Sequence, residues 1–323
     1  MNWAPIINKF SSCRVLVAGD ICLDRWCVYD PSENEPSRET DIPRVAIVDT
    51  VVTPGAGGTI ANNLATLGAG HVSVLGAIGQ DGFGLELGNE LEKRGVDHRL
   101  LVASEHIQTF TYTKVINCQS NDEDRPRLDF INNRALPEEV EDQIIKNFCD
   151  SYESFDVILI ADQAETDQGG VVTDGFREVL VDVANRNPEK IIIADSRNRI
   201  EQFRDVIAKP NIVEATDASK RLYGTLDLPR LRYAIGEKPL VVTCGSKGAL
   251  LVDDNGLREI STVSVDAPVD ICGAGDSFEA GMALVLGSGR DIETAIHFGN
   301  LVASITIMKK GTGAADPEEV LAK

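Results

Sequence analysis

The feature that most constrains this chain is a repeated change of period: short β-rich apolar runs followed by amphipathic stretches of helical length. Arg14–Gly19 (RVLVAG), Val72–Ile78, Asp156–Ala161, Ile191–Ala194 and Leu240–Thr243 are runs of the first kind, rich in Val and Ile and too short for buried helices. Ile60–Leu67, Leu85–Arg94, Glu138–Phe148, Val171–Asn185, Ser277–Leu286 and Ile292–Met308 are of the second kind. A strand that is apolar on both faces must be covered on both. The order β-α-β-α therefore predicts an α/β protein with a doubly wound, mostly parallel sheet and helices on both faces.

Two stretches break this rhythm. Residues from about 36 to 53 hold the alternating segment Arg44–Val52, and residues from about 98 to 131 hold Thr109–Ile116 and Arg127–Phe130, with no helix between them. They predict either a small β-sheet lid over the crevice at the strands' C-terminal ends or simple edge strands. The acidic group Asn121–Asp124 reads as a solvated hairpin tip. No repeat or long linker divides the chain, so residues 1–323 are read as a single domain.

A formal charge of −20 disfavours nucleic acid and anionic membrane surfaces as partners. No apolar run approaches the roughly 18 residues of a membrane span. The N-terminal residues lack the basic, apolar and small-residue order of a leader, and the seven cysteines include no C-x-x-C pair. The expectation is a cytoplasmic protein with reduced thiols. A small phosphate ligand can still bind where local donors overcome the background field.

The strongest local motif is Asp270-Ile-Cys-Gly-Ala-Gly-Asp-Ser-Phe-Glu-Ala-Gly281, a turn running into an apolar helix. Gly273 and Gly275 permit backbone N–H groups to converge on one point, and the helix start adds its dipole. Asp276 beside such an anion pocket either accepts the proton of an attacking hydroxyl or merely caps the helix. Neither Gly55-Ala-Gly57-Gly58 nor Gly273-Ala-Gly275 completes a dinucleotide fingerprint, and no G-x-x-x-x-G-K-[ST] loop exists.

The Asp270–Gly281 motif resembles the C-terminal signature of the PfkB, or ribokinase-like, carbohydrate kinases. Pro54-Gly-Ala-Gly-Gly-Thr-Ile-Ala-Asn-Asn through Ala69, followed by Val74–Gly84, resembles their N-terminal signature. Gly19-Asp-Ile-Cys-Leu-Asp24, Asn211-Ile-Val-Glu214, Val242–Gly248 and Phe298-Gly-Asn300 fall where the family has landmarks, so the resemblance spans nearly the whole chain. It implies a ribokinase-like α/β fold with a β-sheet lid, a homodimer through that lid, and phosphoryl transfer from ATP to a sugar hydroxyl with Mg2+ and in some relatives K+.

Carried over residue by residue, the resemblance makes Asp276 the base and the backbone of Gly273, Ala274 and Gly275 the anion hole. Asp24 and the loop of Gly55, Gly57, Gly58 and Thr59 would hold the sugar. Asn211 and Glu214 would organise Mg2+, Glu214 through water. Thr243, Gly245, Gly248 and Asn300 would line the nucleotide, and Asp270 either binds a monovalent cation or caps the turn. Arg197 and Arg199 are both candidates for the basic residue near the phosphates. Lys114 and Arg127 would either grip a substrate phosphate or stand as exposed lid charges.

Asp20 with Asp24, Arg127–Phe130 and Lys309–Gly313 resemble the branch acting on D-glycero-D-manno-heptose 7-phosphate. The expectation is that the nucleotidyltransferase domain fused to some members of that branch is absent. Thr59 stands where the family usually has Asn, and Cys22 where ribose kinases have Asn. Asp162-Gln-Ala-Glu-Thr166 lacks the lysine of the branch pattern and brings Glu165. A nucleoside kinase of the same fold and a catalytically silent sugar- or nucleotide-binding regulator stay open as alternatives.

Overall fold

A computed structural model describes residues 1–166 and 168–323. Thirteen strands form two sheets among the described residues: β1 (Arg14–Gly19), β2 (Ile21–Tyr29), β3 (Ile47–Ala56), β4 (His71–Gly79), β5 (Asp97–Ser104), β6 (Thr111–Asn117), β7 (Leu128–Phe130), β8 (Val157–Asp162), β9 (Ile191–Ser196), β10 (Ile207–Ala208), β11 (Leu240–Thr243), β12 (Ala249–Asp253) and β13 (Gly256–Ile260). The large sheet runs β13-β12-β11-β10-β9-β8-β1-β4-β5 and the small one β3-β2-β6-β7. All pairs from β11 to β5 are parallel, and β12 and β13 add an antiparallel edge.

Period-two alternation explains why both faces are covered. Val15 and Val17 point to one face, joined by Val157 and Leu159, and pack on α2 (Gly57–Thr66), α8 (Ala274–Gly287) and α9 (Ile292–Thr306). Leu16 and Ala18 point to the other, joined by Ile158 and Ile160, under α4 (Glu138–Ser151), α5 (Asp174–Arg186), α6 (Ile212–Tyr223) and α7 (Leu228–Ile235). The remaining helices are α1 (Ala4–Ile7), α3 (Gly82–Lys93) and α10 (Pro317–Leu321). No helix among the described residues is long and apolar enough to cross a membrane.

The doubly wound reading holds, and the details shift. Residues 97–104 are not part of the small sheet: as β5 they pair in parallel with β4 at the edge of the large one. Their half-exposed pattern is what an edge strand shows. Conversely Ile21–Tyr29, which the pattern did not mark as a strand, is central in the small sheet, between β3 and β6. Residues 36–46 are mostly irregular. Gly55 lies in β3 and Gly57 to Thr59 open α2, so the expected Gly55–Thr59 loop is a strand-to-helix junction. The sequence reading also passed over α6, α7, β12 and β13.

Gly19 ends β1 at φ +133°, where a Cβ would overlap the carbonyl of Ala161 on the paired strand β8. Gly19→Ala is expected to cost about 1–3 kcal/mol for the backbone alone, with more from prising the strands apart. A urea midpoint equal to that of the parent would contradict this close approach.

Candidate active site

The parallel strands β1, β8, β9 and β10 deliver Asp20, Asp162, Asp195 and Lys209 at or just beyond their C-terminal ends, the edge where open α/β sheets place their ligands. The small sheet stands over this edge, and a cavity of about 200 Å³ lies between. Asp24, Tyr112, Lys114 and Arg127 line it from the small sheet. Gln163, Glu165 and Arg197 line it from the large sheet's end, and Thr59, Gly273 and Asp276 close the floor.

The floor is built by the Gly-Ala-Gly turn. Gly273 takes a left-handed φ of +77° and caps α8, which places Ala274, Gly275 and Asp276 in the first turn. Amides there have no acceptor within the helix and present a positive end to the cavity. Ser277 fastens the turn: its hydroxyl donates to the Ala274 carbonyl at 3.0 Å and pairs with the Thr306 hydroxyl of α9 at 2.8 Å. Burial, then the neighbouring Asp195 charge, pushes the Asp276 carboxyl up to about 7. A carboxyl titrating there is suited to accepting a proton near neutral pH.

Asp24 projects from β2 into the same cavity, and burial raises it to about 6. Gly55 on the adjacent strand leaves room for it, since a Cβ at 55 would lie 2.6 Å from the Asp24 carboxyl. Gly57 and Gly58 pack on Ile21 and Pro54 rather than lining the cavity, and the Thr59 hydroxyl donates to the Pro54 carbonyl at 3.2 Å. Lys114 stands 3.8 Å from Glu123, while Arg127 pairs with Asp129 at 2.7 Å and lies over the Tyr112 ring at 5.2 Å.

The two arginine candidates separate. Arg197 is at the cavity, bridged to Glu165 and 3.4 Å from Gln163. Arg199 instead binds Asp162 at 2.7 Å and the carbonyls of Ala164 and Thr166, and does not line this cavity. Asn211 and Glu214 form a reciprocal cap at the start of α6, with Asn211 bridged to Thr243 of β11. Gly245 and Gly248 shape the tight turn after β11, and Asn300 reaches the Ser261 carbonyl from α9 at 3.4 Å. These six lie outside the cavity.

Asp270 uses both carboxylate oxygens on backbone N–H groups, Cys272 at 2.9 Å and Gly311 at 3.1 Å. The turn that holds Gly311 also touches the small sheet: Thr312 meets Thr53 at 3.4 Å and Lys310 donates to Asn121 at 3.0 Å.

Sequence reasoning missed the buried Lys209. It is 2% exposed, with its ammonium 3.0 Å from Asp195 and 3.7 Å from Glu279. A Cβ at Gly275 would lie 3.9 Å from that nitrogen, so the cation sits directly beneath the anion turn. Burial works against its charge, but Asp195 and Glu279 more than offset this and hold it protonated. The one available signal was a lysine immediately before Pro210-Asn211, at a strand end too short to recognise.

Comparison with known proteins agrees with this geometry. The family model described as pfkB family carbohydrate kinase matches residues 21–319. The bifunctional protein HldE of Hydrogenovibrio crunogenus is 28% identical over 319 residues, 97% of this chain, and the chain spans 63% of that relative's length. The crystal structure of a ribokinase from Thermotoga maritima superposes with TM-score 0.72 at 23% identity, covering 96% of this chain and 98% of that one. A ribokinase of Arabidopsis thaliana, complexed with ribose and ATP, superposes at 0.69 with 19% identity over 96% and 98% of the two chains. By the match across nearly its whole length, this chain belongs to the pfkB family of carbohydrate kinases.

Proposed function

We propose that the chain transfers the γ-phosphoryl group of MgATP to a hydroxyl of a sugar or sugar phosphate. The observation that carries this reading is Asp276: a carboxyl raised to about 7, facing a polyol-sized cavity, in the first turn of α8. Asp24 accepts hydrogen bonds from acceptor hydroxyls. Asp276 takes the proton of the attacking one, while the Gly273–Gly275 turn and Lys209 stabilise charge on the group in flight. Residues 1–323 act as one domain, with the small sheet as the lid that excludes water.

The oxygen donors suit Mg2+. Asp195 Oδ1 is buried without a partner, and Glu214, pushed up to about 7 by burial and Asp195, lies at the adjacent helix start. Among the described residues no group of three or more His, Cys, Asp or Glu is arranged to hold a metal, so one or two of these carboxylates plus the nucleotide phosphates would hold the ion. Bound there, Mg2+ supplies charge neutralisation at the phosphates. Asp270 accepts one backbone N–H on each oxygen, from Cys272 and Gly311, which supports a backbone staple and leaves lone pairs that suit a monovalent cation.

A nucleoside acceptor is the second reading, because Trp26 and Tyr112 both line the cavity. Purified protein assayed for ADP release against ribose, fructose, heptose 7-phosphates, fructose 6-phosphate and nucleosides separates the two. Silence across the panel would sink the kinase reading in favour of a regulator that only binds.

The small sheet further supports a homodimer through the lid. Val51 is 52% exposed, and its register partner Trp26 is only partly buried, on the face that also bears Asp24. Val51→Asp is expected to convert a dimer to a monomer in sedimentation. A monomeric parent would refute the assignment.

A further inference from the structure

Gln163 and Glu165 reach the cavity from a segment that is neither strand nor helix. Such a segment holds its side chains in place only if its backbone groups are tied down. The tie is Asp20, the residue after Gly19, which is 1% exposed and does not itself line the cavity. One carboxylate oxygen accepts the N–H of Gln163 at 2.8 Å and of Ala164 at 2.7 Å; the other accepts the N–H of Val171 at 2.8 Å. A single buried carboxylate thus holds both ends of the segment.

The main chain of Asp20 is fixed in turn, its N–H donating to Ala161 of β8 and its carbonyl accepting from Gly57 of α2. Gly170 lets the carboxylate approach: a Cβ there would lie 2.8 Å from Ala164 Cβ and 3.4 Å from Asp20 Oδ1. Arg199 ties the other side, binding the carbonyls of Ala164 and Thr166 while pairing with Asp162. Charge-assisted bonds of this kind are the stronger class, and three donors on one carboxylate define a geometry that an amide or alkyl side chain cannot reproduce.

We propose that Asp20 is a positioning residue for acceptor specificity, acting through the segment that carries Gln163 and Glu165. This rests on the kinase reading of the cavity. Glu165 and Gln163 supply hydrogen-bond acceptors on the wall opposite Asp24, and Glu165 also sets the direction of Arg197. They read the arrangement of acceptor hydroxyls, and Asp20 fixes where they stand. Asn211, Glu214, Thr243, Gly245, Gly248 and Asn300, the residues proposed for the nucleotide, lie on other elements.

The test compares the parent with Asp20→Asn, using the panel compound that gives the greatest ADP release. The acceptor KM is expected to rise roughly 10–100-fold, the scale of a displaced positioning group, with kcat within about threefold and MgATP affinity unchanged. Glu165→Gln should raise KM as well, and the double variant should be no worse than Asp20→Asn, because both act through one element. An unchanged KM, or additive effects, overturns the proposal.

Gly170→Ala, which crowds Ala164 and displaces the same segment while leaving the Asp20 carboxylate itself in place, decides the matter if Asp20→Asn does not fold. It should give the same KM rise, and a parental KM overturns the assignment. Amide hydrogen exchange in residues 163–171 separates failure here from failure of the kinase reading. If the panel is silent, slow exchange in the parent that becomes fast in Asp20→Asn upholds the tie, and equal rates overturn it.

Discussion

Asp276→Asn is expected to lower kcat by roughly 10²–10⁴-fold while MgATP still binds with parental or higher affinity. Asn keeps the shape and removes the proton acceptor together with its negative charge. The lost negative charge lies beside the phosphate site, so nucleotide binding should not suffer. The parent's own pH profile carries the same information. The carboxyl is raised to about 7 by burial and by Asp195, and only the ionised form accepts a proton. The parent's kcat/KM should therefore rise with pH up to about 7 and level off above it; a profile flat down to pH 5 would remove Asp276 as the base.

The stability linkage runs in the opposite direction. A carboxyl whose folded value exceeds its unfolded value contributes stability below the unfolded value, near 4, and that contribution is lost as pH rises through about 7. Asp276→Asn should then melt about 2–4 °C above the parent at pH 8, with the advantage gone at pH 4. Together the two measurements distinguish a strained catalytic carboxyl from a helix cap, whose removal would cost stability.

Lys209→Met is expected to be the most damaging single change to the fold. It leaves Asp195 and the fully buried Glu279 without their cation, and neither Glu279 oxygen has another partner. Breaking a buried ion pair from one side costs roughly 3–5 kcal/mol. Burial pushes the Glu279 carboxyl well above the usual carboxylate range, and its protonation relieves the unpaired charge, so the loss should be larger at pH 8 than at pH 5. In the protein that remains folded, kcat should fall about 10²–10³-fold, the scale of one missing donor at a developing oxyanion. Denaturant unfolding and single-turnover phosphoryl transfer measure the two effects, and a folded variant with parental turnover would remove Lys209 from the site.

How far the sequence anticipates this site depends on the range of each signal. The strands β1, β8, β9 and β11 and the helix after Asp270 announce themselves through local period and glycine placement. So does Asp276, because the turn that positions it is contiguous with it. Lys209, Asp195 and Glu279 are far apart in sequence and meet only when β9, β10 and α8 are packed, and no local pattern encodes their convergence. The small sheet was half legible for a related reason. Its central strand β2 is buried unevenly and follows β1 with only Asp20 between, so it reads as a continuation of one apolar run. Arg197 and Arg199 are equal candidates by resemblance, and only tertiary packing separates them, Arg199 pairing with Asp162 and Arg197 lining the cavity.

Residues 310–312 touch the cover and the cradle at once, through Asn121 and Thr53 on one side and Asp270 on the other. Any swing of the cover must stretch these bonds or drag the cradle along. The position of the small sheet and the position of the turn that carries Asp276 are therefore mechanically linked through three consecutive residues.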